Sequence, residues 1–443
     1  MGSIIQWINK KIFHLNLVQK LRDIINNVYY RNLLTRRNKK IDYLVAKIDQ
    51  KEEKIKLLKA KASKDDRKMA TALLTEFQKV PIHRYGSLTQ GRLDWEEKWD
   101  KSKGKRVLMY ALLDYSGSFY KWADAVNRHT EFAVRLVAFR EHPFGYDYDL
   151  LLPFPDVLER SNIQQIIREA DIIHFKDETG FFFNSNGLPQ NIFSNFVGPK
   201  VYTAYGGYFR HYATDKSFQQ YVLSFDARVA MTPDLIHPWF DGQYIPHAID
   251  TDMYPYCWTD GQILAHSPSK KAKKGTDDLI NAIQGMDIHF DLIHGVSHKE
   301  CMLRKQNATL FFDQAGVSSF KNTGKIAVIG YYGNSALESA VFGIPTIAHI
   351  SERAFEGARI AGRDIENICG IVNTPRGVDG IRKTVVEFFN LTSEERQKVS
   401  KQTRRWMEDF HSYHACAIEL SKMYSRLLGM KSTHEGTTNV KTD

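Results

Sequence analysis

The chain has 443 residues, 43% hydrophobic and 25% charged, with a formal net charge of +10. That length supplies two or three domains with full cores; no apolar run approaches the roughly 18–20 residues that span a bilayer, and no secretory-signal pattern is read at the start. Four scattered cysteines, Cys257, Cys301, Cys369 and Cys416, show no CxxC and no paired Cys/His spacing. They argue for a reducing, cytoplasmic compartment and against a cysteine-built zinc site.

The charge is uneven. Residues 1–70 hold 18 Lys and Arg against 7 Asp and Glu, and the remainder holds 43 against 44. Basic character therefore belongs to an N-terminal extension, and the body lacks the net positive charge common in readers of duplex DNA. Residues 3–34 are helical by period, with a stripe of Ile5, Ile8, Ile12 and Leu15 flanked by Lys10, Lys11, Lys20 and Arg22. A basic amphipathic helix over residues 1–35 suits an anionic membrane surface, and equally a groove on the protein or on a partner. Residues 41–62 carry a short heptad (Ile41, Leu44, Ile48, Ile55, Leu58, Ala62) that would support a coiled coil and a homo-oligomer. Residues 62–104 read as a helical connector.

From Lys105 strands alternate with helices. Arg106 to Leu112, Ala133 to Ala138, Asp171 to Phe175, Lys200 to Tyr205 and Ala227 to Ala230 read as strands; helices are expected from about Phe119 and over Asn162 to Ala170. This spacing means a parallel, doubly wound sheet. Tyr244 to Asp250 reads as a link. A second series follows at Gln262–His266, Phe290–His294, Ala308–Phe312, Thr346–His349 and Gly370–Val372. A long helix from Ser393 to Leu428 and a polar tail close the chain.

Ligands of such sheets bind at strand C-termini and helix N-termini. Four segments of the second series fall there. His266 to Asp277 places a hydroxyl-rich turn with Ser267 before Lys271 and Lys274, which suits a diphosphate; the alternative is a lysine-rich surface turn. His294 to Glu300, around Gly295, offers a backbone edge to a nucleobase. Asp313-Gln314 ends a buried strand. Gly330 to Ile350 sets Gly333, Asn334 and Ser335 at the head of a helix, with Glu338 a turn in. Free N–H groups there suit a phosphate, and a carboxylate suits sugar hydroxyls.

In this order, HSPSKKAKKGTDDLINAI, FFDQ and GYYGNSALESAVFGIPTIA resemble the C-terminal domain of GT-B-fold retaining glycosyltransferases of the family-4 type. The resemblance spans about residues 105–428 and is strongest from Ile263 to Ile350. It implies an α/β fold of two Rossmann-like domains facing across a cleft, preceded by the helical, coiled-coil extension of residues 1–104. Residues 105–250 would form the acceptor domain and 251–392 the nucleotide-sugar domain. Residues 393–428 would cross back as a helix, and 429–443 would form a disordered tail. The implied reaction moves a sugar from a nucleotide-diphosphate donor, a UDP or GDP sugar, to a glycan or lipid-linked acceptor at the cytoplasmic membrane face. No cofactor and no metal are implied. Other readings are a phage-type glucosyltransferase of DNA bases, with nucleic acid as partner, a nucleotide-sugar epimerase, and a non-catalytic nucleotide-sugar scaffold.

By position, the resemblance makes His174, Lys274 and Glu338 the expected catalytic set. It assigns the donor to Gly117, Ser267, Lys271, Lys274, Gly295, Gly333, Asn334, Ser335 and Glu338. The acceptor side falls on Tyr205, Gly206, Gly207 and Arg210. Two departures stand out. Many relatives carry a second glutamate eight residues before the one matched by Glu338, and here that position is Gly330. Residues Ala315 to Ile329 also intervene between Asp313-Gln314 and GYYG.

Overall fold

A computed structural model describes residues 93–140, 142, 146–151, 165–176, 196–319, 326–365 and 370–429. The amphipathic stripe of residues 3–34, the heptad of 41–62, the Asn162 helix start and the tail from Lys431 lie outside the described residues. All those described fall in one compact unit, Ile82–Asp443.

The first sheet has seven parallel strands in the order β3-β2-β1-β4-β5-β6-β7. They are β1 (Arg106–Leu113), β2 (Ala133–Arg140), β3 (Leu150–Leu151), β4 (Ile172–Lys176), β5 (Lys200–Ala204), β6 (Ala227–Ala230) and β7 (Gln243–Tyr244). Val107 to Ala111 are all buried, as expected of a parallel strand covered on both faces. The second sheet is parallel in the order β14-β13-β10-β8-β9. Its strands are β8 (Ile263–His266), β9 (His289–Leu292), β10 (Leu310–Gln314), β13 (Thr346–Ala348) and β14 (Ile371–Asn373). The segment between Asp313-Gln314 and GYYG contains an antiparallel pair, β11 (Val317–Ser319) and β12 (Ile326–Val328).

Seven helices bear on the argument: α1 (Leu93–Lys101), α2 (Ser118–His129), α3 (His298–Lys305), α4 (Asn334–Ala340), α5 (Glu352–Ile360), α6 (Ser393–Trp406) and α7 (Tyr413–Leu427). α7 returns to the first sheet, where Leu420, Met423 and Tyr424 share a core with Phe119 and Trp122 of α2. Trp95 and Trp99 of α1 are buried, so the end of the expected connector belongs to the folded body.

The single long helix expected over Ser393–Leu428 is instead two. A π-helical turn over Met407–His411 and an extended Ser412 separate them. Ser412 Oγ accepts the Ala415 N–H and starts α7 as an N-cap. The break frees His411 to bridge the domains. Its Nδ1 donates to the His247 carbonyl (2.6 Å), and its Nε2 accepts from the Tyr332 hydroxyl (3.0 Å). Such bonds between residues far apart in sequence outweigh local helix propensity.

Candidate active site

Both sheets turn their ligand-facing edges toward one cleft of about 510 Å³. Strand order dictates its place. Neighbours run in opposite directions through the sequence from β1 and β4 in the first sheet and from β8 and β10 in the second, and crevices form at such switch points. In the first sheet the crevice is filled by an ion pair. Asp114, just past β1, caps α2 through the Phe119 and Tyr120 amides (2.9 Å each) and meets Lys176 Nζ at 2.6 Å. Lys176 also lies 4.4 Å from the centre of the Tyr205 ring, and Tyr205 lines the cleft.

In the second sheet the switch point brings Ser267, Lys274, Asp313 and the head of α4 together. Ser267 Oγ and Ser335 Oγ are 2.6 Å apart. Lys274 Nζ donates to Asp313 Oδ1 (2.8 Å), and the Gly333 amide donates to Asp313 Oδ2 (2.7 Å). The Gly333 N–H, expected to face a phosphate, is therefore engaged by a buried carboxylate. Asn334 stands apart: it is 6% exposed, lines the cleft, and among the described residues neither its Oδ1 nor its Nδ2 has a hydrogen-bond partner. A buried amide left unpaired costs about 1–3 kcal/mol, so its position facing a cavity points to a polar ligand.

Glu338 is the most heavily bonded group of the cleft. Its Oε2 accepts from Lys305 Nζ (2.8 Å), and its Oε1 accepts from the Tyr146 hydroxyl (2.8 Å) and His298 Nε2 (3.1 Å). Lys121 Nζ lies 3.9 Å from Oε1. Lys305 is fully buried and also donates to the carbonyl and hydroxyl of Ser335. Burial alone would raise the Glu338 pKa, but Lys305, His298 and Lys121 outweigh it and hold the carboxyl well below its ordinary range. Burial and the adjacent Glu338 push the Tyr146 hydroxyl well above its usual value, so it remains a donor.

The expected residues divide clearly. Ser267, Lys274, Gly295, Gly333, Asn334, Ser335, Glu338, Tyr205, Gly206 and Arg210 all line the cleft. Gly207 is absent from its lining. Lys271 is exposed and is not among the cleft-lining residues, whereas Lys270 is. His174 is fully buried beneath the cleft, hydrogen-bonded to Tyr424 (2.8 Å) and Thr203 (2.5 Å), where it joins the first sheet to α7. Burial lowers its pKa to about 3, so it is neutral and has no contact with the cavity. Gly117 (φ +61°) lines a side pocket of about 230 Å³ behind Tyr146 and Glu338; a Cβ there would stand 3.1 Å from the Tyr146 ring.

Gly330 is built as a glycine. Any Cβ would run into Ser351 Oγ, which donates to the Gly330 carbonyl (3.2 Å), as does the Ser351 amide (3.0 Å). Serine therefore occupies the space that a glutamate at this position would enter. Lys305, Lys121 and Tyr146 were not anticipated as site residues. The available signal was physical: a lysine one turn before the buried strand β10 must have a partner if it turns inward.

No protein-family model matches the chain, and no curated protein matches it. Solved structures do. A glycosyltransferase from Rickettsia africae aligns with TM-score 0.51 and 11% identity, over 73% of this chain and 98% of its own. Anabaena Alr3699/HepE, solved with UDP-glucose, aligns with TM-score 0.52 and 9% identity over 72% and 99%. Sucrose-phosphate synthase from Thermosynechococcus elongatus gives TM-score 0.52 and 9% identity over 73% and 99%. The architecture is thus the two-domain GT-B fold.

Proposed function

We propose that this chain transfers a sugar from a nucleotide-diphosphate donor, a UDP sugar in the first instance, to a hydroxyl of a glycan or lipid-linked acceptor. Within the family-4-type resemblance, the donor lies along the second sheet's switch point. The observation that carries this reading is the unpartnered, buried Asn334 facing the cleft beside Lys274 and Glu338. Glu338 accepts the ribose hydroxyls, taking the place of the Tyr146 phenol. Lys274 swings from Asp313 toward the diphosphate.

In the reaction the anomeric C–O bond to phosphate breaks with its electron pair leaving on the diphosphate. The acceptor oxygen bonds to the anomeric carbon, and its proton passes to the departing phosphate. Charge grows on that leaving group, where a nearby ammonium in a desolvated cleft is most effective. His247 lines the cleft as a neutral group, because burial, with Lys176, His411 and Lys121 nearby, holds it well below the usual histidine range.

Calorimetry with UDP-glucose and GDP-glucose, followed by nucleotide release with candidate acceptors, tests the reading. Asn334→Ala should weaken nucleotide binding by roughly tenfold, the worth of one well-made buried hydrogen bond, with the melting temperature unchanged or higher. Failure of both nucleotide sugars to bind, or equal binding by the variant, refutes it.

A further inference from the structure

A second cleft, of about 850 Å³, opens past the C-terminal ends of β13 and β14. Arg210, Asp234 and His237 of the first domain form one wall; Ser351, Arg353 and Arg376 stand on the other. Arg210 lines both clefts, so the second adjoins the first. Ser351, which bonds the Gly330 carbonyl, lines the second cleft, and the chain neighbours of Gly330, Ile329 and Tyr331, line the first. The walls are fixed to one another. α5 packs so closely on the Pro233 carbonyl that a Cβ at Gly357 would overlap it, and Arg353 donates to the Ile236 carbonyl.

The charges of this cleft are unequally matched. Arg210 is paired with Asp234 (Nε to Oδ2, 2.7 Å). Among the described residues, Arg353 pairs with one carboxylate, the half-exposed Glu356, and donates to the Ile236 carbonyl, while its buried Nε has no hydrogen-bond partner. Arg376 donates to the Ala315 carbonyl (3.2 Å) and makes no ion pair among the described residues. The remaining lining carboxylate, Glu352, is exposed. Burial first, then the neighbouring Arg353, lowers His237 to about 4, against Asp234 and Glu356, which raise it.

We propose that this second cleft is the acceptor subsite and that it takes an anionic acceptor, a sugar or polyol bearing a phosphate or carboxylate. Arg353 and Arg376 hold the anion, and the acceptor hydroxyl reaches the donor cleft past Arg210. Guanidinium forks suit either oxyanion. Which hydroxyl reacts is set by how far the anchored anion lies from the Gly330–Ser351 partition. The proposal rests on the donor reading above for its role in transfer, but anion binding itself does not.

The test is calorimetric titration of the UDP-saturated protein with glucose 6-phosphate, glucuronate and glucose. At least one of the two anions should bind about tenfold more tightly than glucose, the worth of a charge-assisted hydrogen bond. The stronger arm identifies phosphate or carboxylate. Arg376→Ala, an exposed position, should weaken the anion roughly tenfold and leave UDP affinity unchanged. Glucose binding as well as both anions, no binding by any of the three, or an indifferent Arg376→Ala overturns the proposal. If UDP itself fails to bind while the anion and Arg376 effects persist, the donor reading falls and the anion subsite stands.

Discussion

Replacing Lys305 with methionine isolates what the buried cation does for Glu338. The two groups are 0% and 4% exposed at the side chain and 2.8 Å apart. Breaking one side of a buried pair costs about 3–5 kcal/mol, mainly because a charge is left uncompensated. Here Tyr146, His298 and Lys121 remain around the carboxylate, so the loss should sit at the low end, about 3 kcal/mol. For a unit of this size that is roughly 4 °C in Tm, taking about 2 cal/mol/K of unfolding entropy per residue. The double variant Lys305→Met/Glu338→Gln removes both charges and should return to within about 1 kcal/mol of the parent. The pH dependence supplies the sign. With its folded pKa depressed, Glu338 adds stability above the unfolded value of 4.5, and that share is lost as pH falls through the folded value. In Lys305→Met burial acts with less opposition and the folded pKa rises. The gap between parent and variant should therefore narrow as pH drops from 7 toward 4. Urea denaturation across that range is the assay. A cost under about 1 kcal/mol, constant with pH, would refute the assignment of Lys305 as the counter-ion that fixes Glu338.

Two further outcomes are expected. Gly330→Ala should cost about 1–3 kcal/mol by overpacking against Ser351, and Gly330→Ala/Ser351→Gly should recover most of it; equal urea midpoints for parent and single variant would show that the partition yields freely. His174 is neutral when folded, with its pKa near 3, and titrates near 6.5 when unfolded. The unfolded chain thus binds a proton that the fold does not, so this residue alone should remove about 1.6 kcal/mol between pH 6.5 and pH 5. His174→Phe should flatten the stability–pH curve by that amount, and an unchanged slope would disprove the burial argument.

The alternation of strands and helices was legible because parallel strands are apolar on both faces, and runs such as Val107–Leu112 or Leu310–Phe312 admit little else. The cleft-facing loops were legible for a related reason: crevices follow from strand order, and Ser267 sits one step past β8, Asp313 within the end of β10 and Gly333 at the head of α4. What stayed hidden depends on contacts between distant residues. His174 ends up beneath the cleft because Tyr424, 250 positions later, comes back across the sheet to meet it. The helix break at Met407–His411 has no local breaker in glycine or proline; it follows from the bonds His411 makes to His247 and Tyr332.

Gly330 carries the sharpest consequence of that distinction. Against the family-4-type pattern it is a missing carboxylate, a feature that leaves room for a degenerate site. In space it is a filled position, with Ser351 inserted where the side chain would go and with the arginine-lined cleft directly beyond. A decayed site would leave a void or a loosened loop after losing a glutamate, because large-to-small changes in packed regions seldom collapse fully. Here the backbone carbonyl of residue 330 receives two hydrogen bonds from Ser351 instead. Gly330 is thus part of a consistent local structure. Set against the family-4-type pattern that the sequence resembles, the boundary between the two clefts has one negative charge fewer, which suits the proposed anionic acceptor.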